Sequence, residues 1–235
     1  MEIQEGGVMK RLFLGIMMLM MMSFAHANDI YVTQSGATLD LDITQDGQDN
    51  KVGNSTTSSS VIGATSTIDI DQVGNTNVLT FDVNGATFTG TFSTTGNSNN
   101  IDFNCDSAGT VSSCATATAS IVWVGSSNDI DIDIGESADA ANATVSITGA
   151  SGSDSNVVAA TIDGTSAILT LTVNGDTNNY LIDINNNGDV NGHTLVHSHT
   201  GSIADVDITQ SGLYDNIINL TTAGDNHDID IIQDD

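Results

Sequence analysis

Ser66-Thr67-Ile68-Asp69-Ile70-Asp71-Gln72-Val73-Gly74-Asn75-Thr76-Asn77 is the stretch whose reading decides the fold. Its first half alternates polar and β-branched residues with period two, which reads as a strand with one buried face. Its second half, Gln-x-Gly-x-x-Asn, joins a glycine to an asparagine, both suited to tight turns. The phrase recurs in full at Gln45-Asp46-Gly47-Gln48-Asp49-Asn50. Shortened copies stand at Gly96…Asn99, Gly125…Asn128, Gly175…Asn178 and Gln210-Ser211-Gly212…Asp215, while Gln34 and Gly36 begin one without the asparagine. A turn phrase recurring between short alternating strands predicts an all-β solenoid, because each unit can bury its apolar face only against the next.

The step from Gly74 to Gly96 is 22 residues, enough for two strands of five or six residues with a tight turn after each. Alternation predicts strands at 39–44, 67–72, 78–83, 101–103, 121–124, 130–134, 157–162, 168–173, 180–184, 203–209, 217–220 and 229–232. Longer steps predict insertions at 53–65, 104–119, 135–143 and 185–201 that bulge from one edge of the stack. The expected array has roughly eight or nine coils of ~22–25 residues, with no helix and no linker dividing it.

The first 27 residues read as a leader rather than part of the fold. Lys10-Arg11 precede an apolar run through Met22 and an Ala25-His26-Ala27 site, the pattern of a cleaved signal peptide. Met9 already begins a complete leader, so residues 1–8 read as an extension ahead of the true start. The apolar stretch is shorter than the ~20 residues of a membrane span. The remaining chain, 28–235, keeps Lys51 as its one cation and loses only Glu2 and Glu5 of 30 acidic residues, so its net charge stays at −27. That charge makes nucleic acid and anionic membrane surfaces poor partners, since both demand cationic patches, and no nucleic-acid partner is expected. The absence of arginine after residue 11 weakens enzyme readings that need guanidinium forks for phosphate or carboxylate. Cys105 and Cys114 lie close in sequence, and export favours a local disulfide between them.

Alternation also sorts residues into inside and outside. In Asp129-Ile130-Asp131-Ile132-Asp133-Ile134 the isoleucines point in and the aspartates out. Asp69, Asp71, Asp205, Asp207, Asp228 and Asp230 are expected to join the same outward rows on successive rungs ~4.8 Å apart. Such rows repel one another and are candidates for weak calcium binding; no other cofactor is expected.

Ser, five residues, Gln, one, Gly, two, Asn at 66–77 resembles the curlin repeat, the unit of the bacterial amyloid fibres called curli. The resemblance implies a cross-β solenoid of strand–turn–strand coils that polymerises end to end outside the cell, with Gln and Asn side chains stacked as ladders. It carries Ser66, Gln72, Gly74 and Asn77 as repeat positions, then Gln45, Gly47 and Asn50, then Gln210 and Gly212. Thr94, Trp123 and Val173 occupy the Gln position in three further copies. It also implies partners: other copies of the chain, a nucleating subunit and an outer-membrane secretion channel, reached through the periplasm. The final strand, 229–232, has no helix or proline after it in this sequence and reads as a polymerisation edge.

Other constellations are weaker. Residues 183–188 match the first half of an EF-hand loop, but Thr194 stands where the bidentate Glu belongs. His193, His197 and His199 read as a polar loop with too few converging ligands for zinc. Aspartates spread over an outer face and a single tryptophan give no basis for naming catalytic residues, so no enzyme is expected. The threonines of Thr87-Phe88-Thr89-Gly90-Thr91 do not recur at one fixed place per coil, which ranks a threonine-faced ice-binding solenoid low. The favoured function is a secreted fibre subunit for adhesion or biofilm matrix. The alternatives are a monomeric acidic solenoid binding calcium or a ligand, and a polysaccharide-active β-helix.

Overall fold

The computed structural model describes residues 28–54, 56–105, 114–135, 142–149, 155–185, 192–212 and 216–234. The leader at 1–27 and the EF-hand-like residues 186–191 lie outside them. The first strands are β1 (Asp29–Ile30), β2 (Thr33–Ser35), β3 (Thr38–Asp46), β4 (Asp49–Val52) and β5 (Ser59–Ile62). Full rungs begin with β6 (Thr65–Val73), β7 (Thr76–Asn84), β8 (Thr87–Thr95), β9 (Ser98–Cys105), β10 (Thr116–Val124) and β11 (Ser127–Ile134). They continue as β12 (Asn142–Gly149), β13 (Asn156–Asp163), β14 (Ala167–Asn174) and β15 (Asn178–Asn185). The last are β16 (Thr194–Thr200), β17 (Ala204–Ser211), β18 (Ile217–Ala223) and β19 (His227–Asp234).

These strands form two parallel sheets that the chain visits in turn. One, the odd sheet, runs β1-β4-β7-β9-β11-β13-β15-β17-β19 with β2 and β5 beside it; the other, the even sheet, runs β18-β16-β14-β12-β10-β8-β6-β3. The result is a β-solenoid of about 7 turns. That is fewer than the eight or nine coils expected, because the full-rung strands are seven to nine residues long where five or six were expected. The regions 53–65, 104–119, 135–143 and 185–201 are also not pure insertions. Ser59–Ile62, Thr116–Val124, Asn142–Gly149 and Thr194–Thr200 are strands in register with their neighbours.

Every full rung presents alternate residues to the space between the sheets. The core is built of Ile, Val, Leu and Phe columns, with Ile101, Ile130, Val158, Tyr180 and Val206 in successive register on the odd sheet. Large residues are matched by small ones on adjoining positions. Phe88, Phe92 and Phe103 cluster with ring centroids 5.0 to 6.3 Å apart, and a Cβ on Gly90 would run into the Phe88 ring. Trp123 likewise lies over its register partner Gly149, whose added Cβ would sit 2.6 Å from Trp123 Cζ2. Dense cores tolerate such bulk only where a neighbour gives up its side chain. Cys105, at the end of β9, is joined by a disulfide to Cys114 with their Cα atoms 5.9 Å apart.

The glycine of the recurring phrase has a steric cause. A Cβ on Gly74 would lie 2.7 Å from the carbonyl oxygen of Gly47 one rung earlier and 2.9 Å from Asn77 Oδ1. Gly36 has no such neighbour, its nearest atom being Gln34 Nε2 at 3.4 Å. Gly74→Ala should therefore cost about 1–3 kcal/mol as an overpacking change, whereas Gly36→Ala should stay within about 0.5 kcal/mol. Equilibrium urea unfolding of the two variants checks this, and equal losses would contradict the close-approach explanation.

Candidate functional site

The stack's polar chemistry lies in its interior columns. The first inward residue of each odd-sheet strand is Asn50, Asn77, Asn99, Asn128, Asn156 and Asn178 in six successive rungs, all buried. Each side-chain amide donates from Nδ2 to Oδ1 of the next. The distances are 3.3 Å from Asn50 to Asn77, 2.8 Å from Asn77 to Asn99, and 2.6 Å for the three links from Asn99 through Asn128 and Asn156 to Asn178. Asn77, Asn128 and Asn178 also donate to the carbonyls of Thr95, Gly125 and Gly175. The same side chain thus closes the turn and ties it to the next rung. Hydrogen bonds chained this way polarise one another. Asn50 and Asn77 are legible as repeat positions; Asn156 was missed because no glycine stands three residues before it. The turn into it instead passes through Ser155 at φ 57°.

The glutamines form two short ladders rather than one long one. Gln72 donates to Gln45 Oε1 at 2.8 Å and to the Val78 carbonyl at 3.1 Å, at the last inward position of the even-sheet strands. That column continues as Thr94, Trp123, Gly149, Val173 and His199, so these residues do occupy the glutamine position. Gln210 does not. It lies on β17 of the odd sheet, at the opposite corner, so Gln210 and Gly212 are not in phase with the other copies. Its column reads Val83, Cys105, Ile134, Ile162, Ile184 and Gln210 to Gln233, whose Nε2 lies 3.4 Å from Gln210 Oε1. Gln34 belongs to this same column through Val61. Ser66 is buried in the first inward column of the even sheet, between Leu39 and Phe88.

The histidines are not a polar loop. His197 and His199 are inward residues of β16 and His193 precedes it, all three buried. His193 Nδ1 accepts from the Ala167 amide at 3.1 Å, and Tyr180 Oη lies 2.9 Å from His199 Nδ1. His197 stands edge-on to Tyr180 at 4.6 Å, and neither of its ring nitrogens has a partner. Burial, then the neighbouring His199, pushes His197 down to about 4. Burial, followed by His227, lowers His199 as well, and burial lowers His193. The loop reading failed because the inward residues of this rung are histidines where other rungs carry Leu171 and Leu220.

Outward residues separate by sheet. Asp205, Asp207, Asp228 and Asp230 share odd-sheet rows with Asp102, Asp129 and Asp131, but Asp69 and Asp71 lie on β6 of the even sheet, on the opposite face. Within the odd sheet Asp102 and Asp131 are register partners. Burial first, then Asp131, Asp82 and Asp129, holds the Asp102 carboxyl above the usual range. Burial and Asp129 do the same for Asp131. Among the described residues no group of three or more His, Cys, Asp or Glu side chains could hold a metal ion. The carboxylates form rows, not a cage. A groove of about 420 Å³ runs past the Asn corner between Asn156, Asn178, Ala204 and Asp228.

At the ends of the stack the backbone edges carry no further strand among the described residues. β18 and β19 end their sheets on one side, and β3 with β1 and β2 on the other. Exposed apolar side chains accompany these edges: Ile217, Ile229, Ile231 and Ile232 at one end and Tyr31 at the other. No family model, curated protein or solved structure matches the chain.

Two measurements probe the buried polar columns. Asn128→Ala removes the hydrogen bonds that join Asn128 to Asn99 and to Asn156, and should cost about 1–3 kcal/mol in urea unfolding; the exposed Asn100→Ala should stay within about 0.5 kcal/mol. For His197, the folded pKa lies below the unfolded value of about 6.5, so the unfolded chain binds the proton first. Its contribution to stability is complete above pH 6.5 and falls as pH drops towards about 4. His197→Leu should remove roughly 3 kcal/mol of that acid loss. The check is the difference between the wild-type and variant stability curves; parallel curves across that window would refute it.

Proposed function

We propose that the chain is an exported structural subunit of the curlin type that assembles into extracellular fibres, contributing to adhesion or biofilm matrix. One observation carries the reading. Among the described residues the strands at both ends of the parallel stack pair with no further strand, and at the C-terminal end the Gln210–Gln233 pair stands in the final rungs, where a further copy could extend it. An open, parallel edge is a template for pairing with another chain. The worn Ser-x5-Gln-x-Gly-x2-Asn phrase at 66–77 supports the same reading, as does a leader-like segment at 1–27 that would take the chain out of the cytoplasm. On this reading the partners are copies of the chain, a nucleating relative and a secretion channel. No catalytic step and no cofactor are invoked.

The aspartate rows of the odd sheet favour a second reading, a monomeric module that uses its acidic face for calcium or a basic ligand. Growth kinetics separate the two. The chain from Asn28 should show a lag, lose that lag when sonicated fibres are added, and bind amyloid dye. With a net charge of −27, elongation should speed up as salt screens the approach of copies. A chain that stays monomeric at high concentration, with salt and calcium present, overturns the fibre reading in favour of the monomeric one.

A further inference from the structure

Past the aspartate-bearing strands β3 and β6, the outer face of the even sheet differs in charge from that of the odd sheet. On the odd sheet every strand from β9 to β19 carries at least one aspartate. On the even sheet the strands β8, β10, β12, β14, β16 and β18 contain no Asp, Glu, Lys or Arg at all. Register aligns their outward residues in rows of hydroxyls and methyls: Thr89, Thr118 and Thr144 in one, Ser120, Ser146 and Thr170 in the next. Threonine therefore does recur at a fixed place on successive rungs, contrary to the expectation from spacing alone. Ile168, Val196 and Ile217 stand exposed within the same field.

We propose that this uncharged face of the even sheet, from β8 to β18, is a docking surface for the same face of a second copy, so that two solenoids pair sheet against sheet. Charge argues for that occupant. A chain of net charge −27 can approach its like closely only where it carries no carboxylate, and face-to-face pairing turns both aspartate faces outward. Composition argues for it too. Short β-branched and hydroxyl side chains without charge or proline interdigitate into the dry interface of paired sheets. The area is sufficient: six strands ~4.8 Å apart and seven to nine residues long at ~3.3 Å per residue present about 700–800 Å² on each copy, the share of a standard stable interface. Lateral pairing is a separate event from growth at the rung edges, and it goes beyond the fibre reading without requiring it.

The experiment places carboxylates in the centre of the face. Thr118→Asp with Ile168→Asp is compared with Val78→Asp and Leu181→Asp on the odd sheet, after circular dichroism shows that both variants keep the fold. If fibres form, electron microscopy should show wild type and control as paired filaments and the Thr118/Ile168 variant as single filaments of half the width, still seeded normally. If no fibres form, sedimentation equilibrium should give a dimer that the Thr118/Ile168 variant weakens at least about tenfold and the control does not. Should that variant fail to fold, spin labels on Thr144→Cys should report a partner label within about 20 Å, as sheets packed ~10 Å apart require. Single wild-type filaments, a monomer at all concentrations, equal effects of the two variants, or retention on ice or a neutral glycan without pairing would each overturn the proposal. The seeding assay is read independently, so loss of pairing and loss of growth are distinguishable.

Discussion

Inward side chains of this stack stand in columns, because parallel in-register strands repeat the same pleat ~4.8 Å apart. For an apolar residue that means contact with its counterparts above and below. For a buried amide it is a stricter condition, since an unpaired polar group in the interior costs about 1–3 kcal/mol. The asparagines from Asn77 to Asn178 meet it along the column and at the turn carbonyls together, whereas Asn50 Oδ1 at the head of the column has no partner. The glycine three residues earlier follows from the same spacing, because the turns come as close as the rungs do.

Where a column changes character, the neighbours adjust. The Gln45–Gln72 ladder ends at Thr94 and Trp123, and Gly149 gives up its side chain to make room for the indole. Gln72 Oε1, Thr94 Oγ1 and Trp123 Nε1 are left without partners at this transition. The odd-sheet glutamines occur only near the two ends of the stack, at Gln34 and at Gln210 with Gln233. Between them Val, Cys and Ile fill the column. The centre is thus secured by apolar packing, one disulfide and the asparagines, while the C-terminal rungs contain buried neutral histidines that titrate near neutrality when exposed. Acid should loosen that end before it affects the middle.

Much of this was legible in the sequence, and the misses share a cause. The all-β solenoid followed from period-two alternation, and it was clearest where Ile and Asp alternate, as in 129–134. Rungs 87–95, 142–149 and 194–200 were hidden because their outward residues are mostly Thr and Ser and some inward ones are Gly, Ala or His. The polarity contrast that marks a half-buried strand is weak there. Register was the other missing quantity. Without it Gln210 looks like a copy of Gln72, and Asp69 like a row-mate of Asp205, although each pair is split between the two sheets. The division between an aspartate face and, from β8 to β18, a hydroxyl face exists only once register is known.

The central claim is that asparagines far apart in sequence are neighbours in one hydrogen-bonded column. A double-mutant cycle on Asn99 and Asn128, 29 residues apart and joined at 2.6 Å, tests it most directly. Stability should be measured by urea unfolding for each alanine variant and for the pair. Adjacent ladder positions predict a coupling energy of about 0.5–3 kcal/mol, because the second substitution removes a group that the first has already left unpaired. Additive losses, agreeing within about 0.3–0.5 kcal/mol, would mean that the two side chains do not meet and that the register described here is wrong.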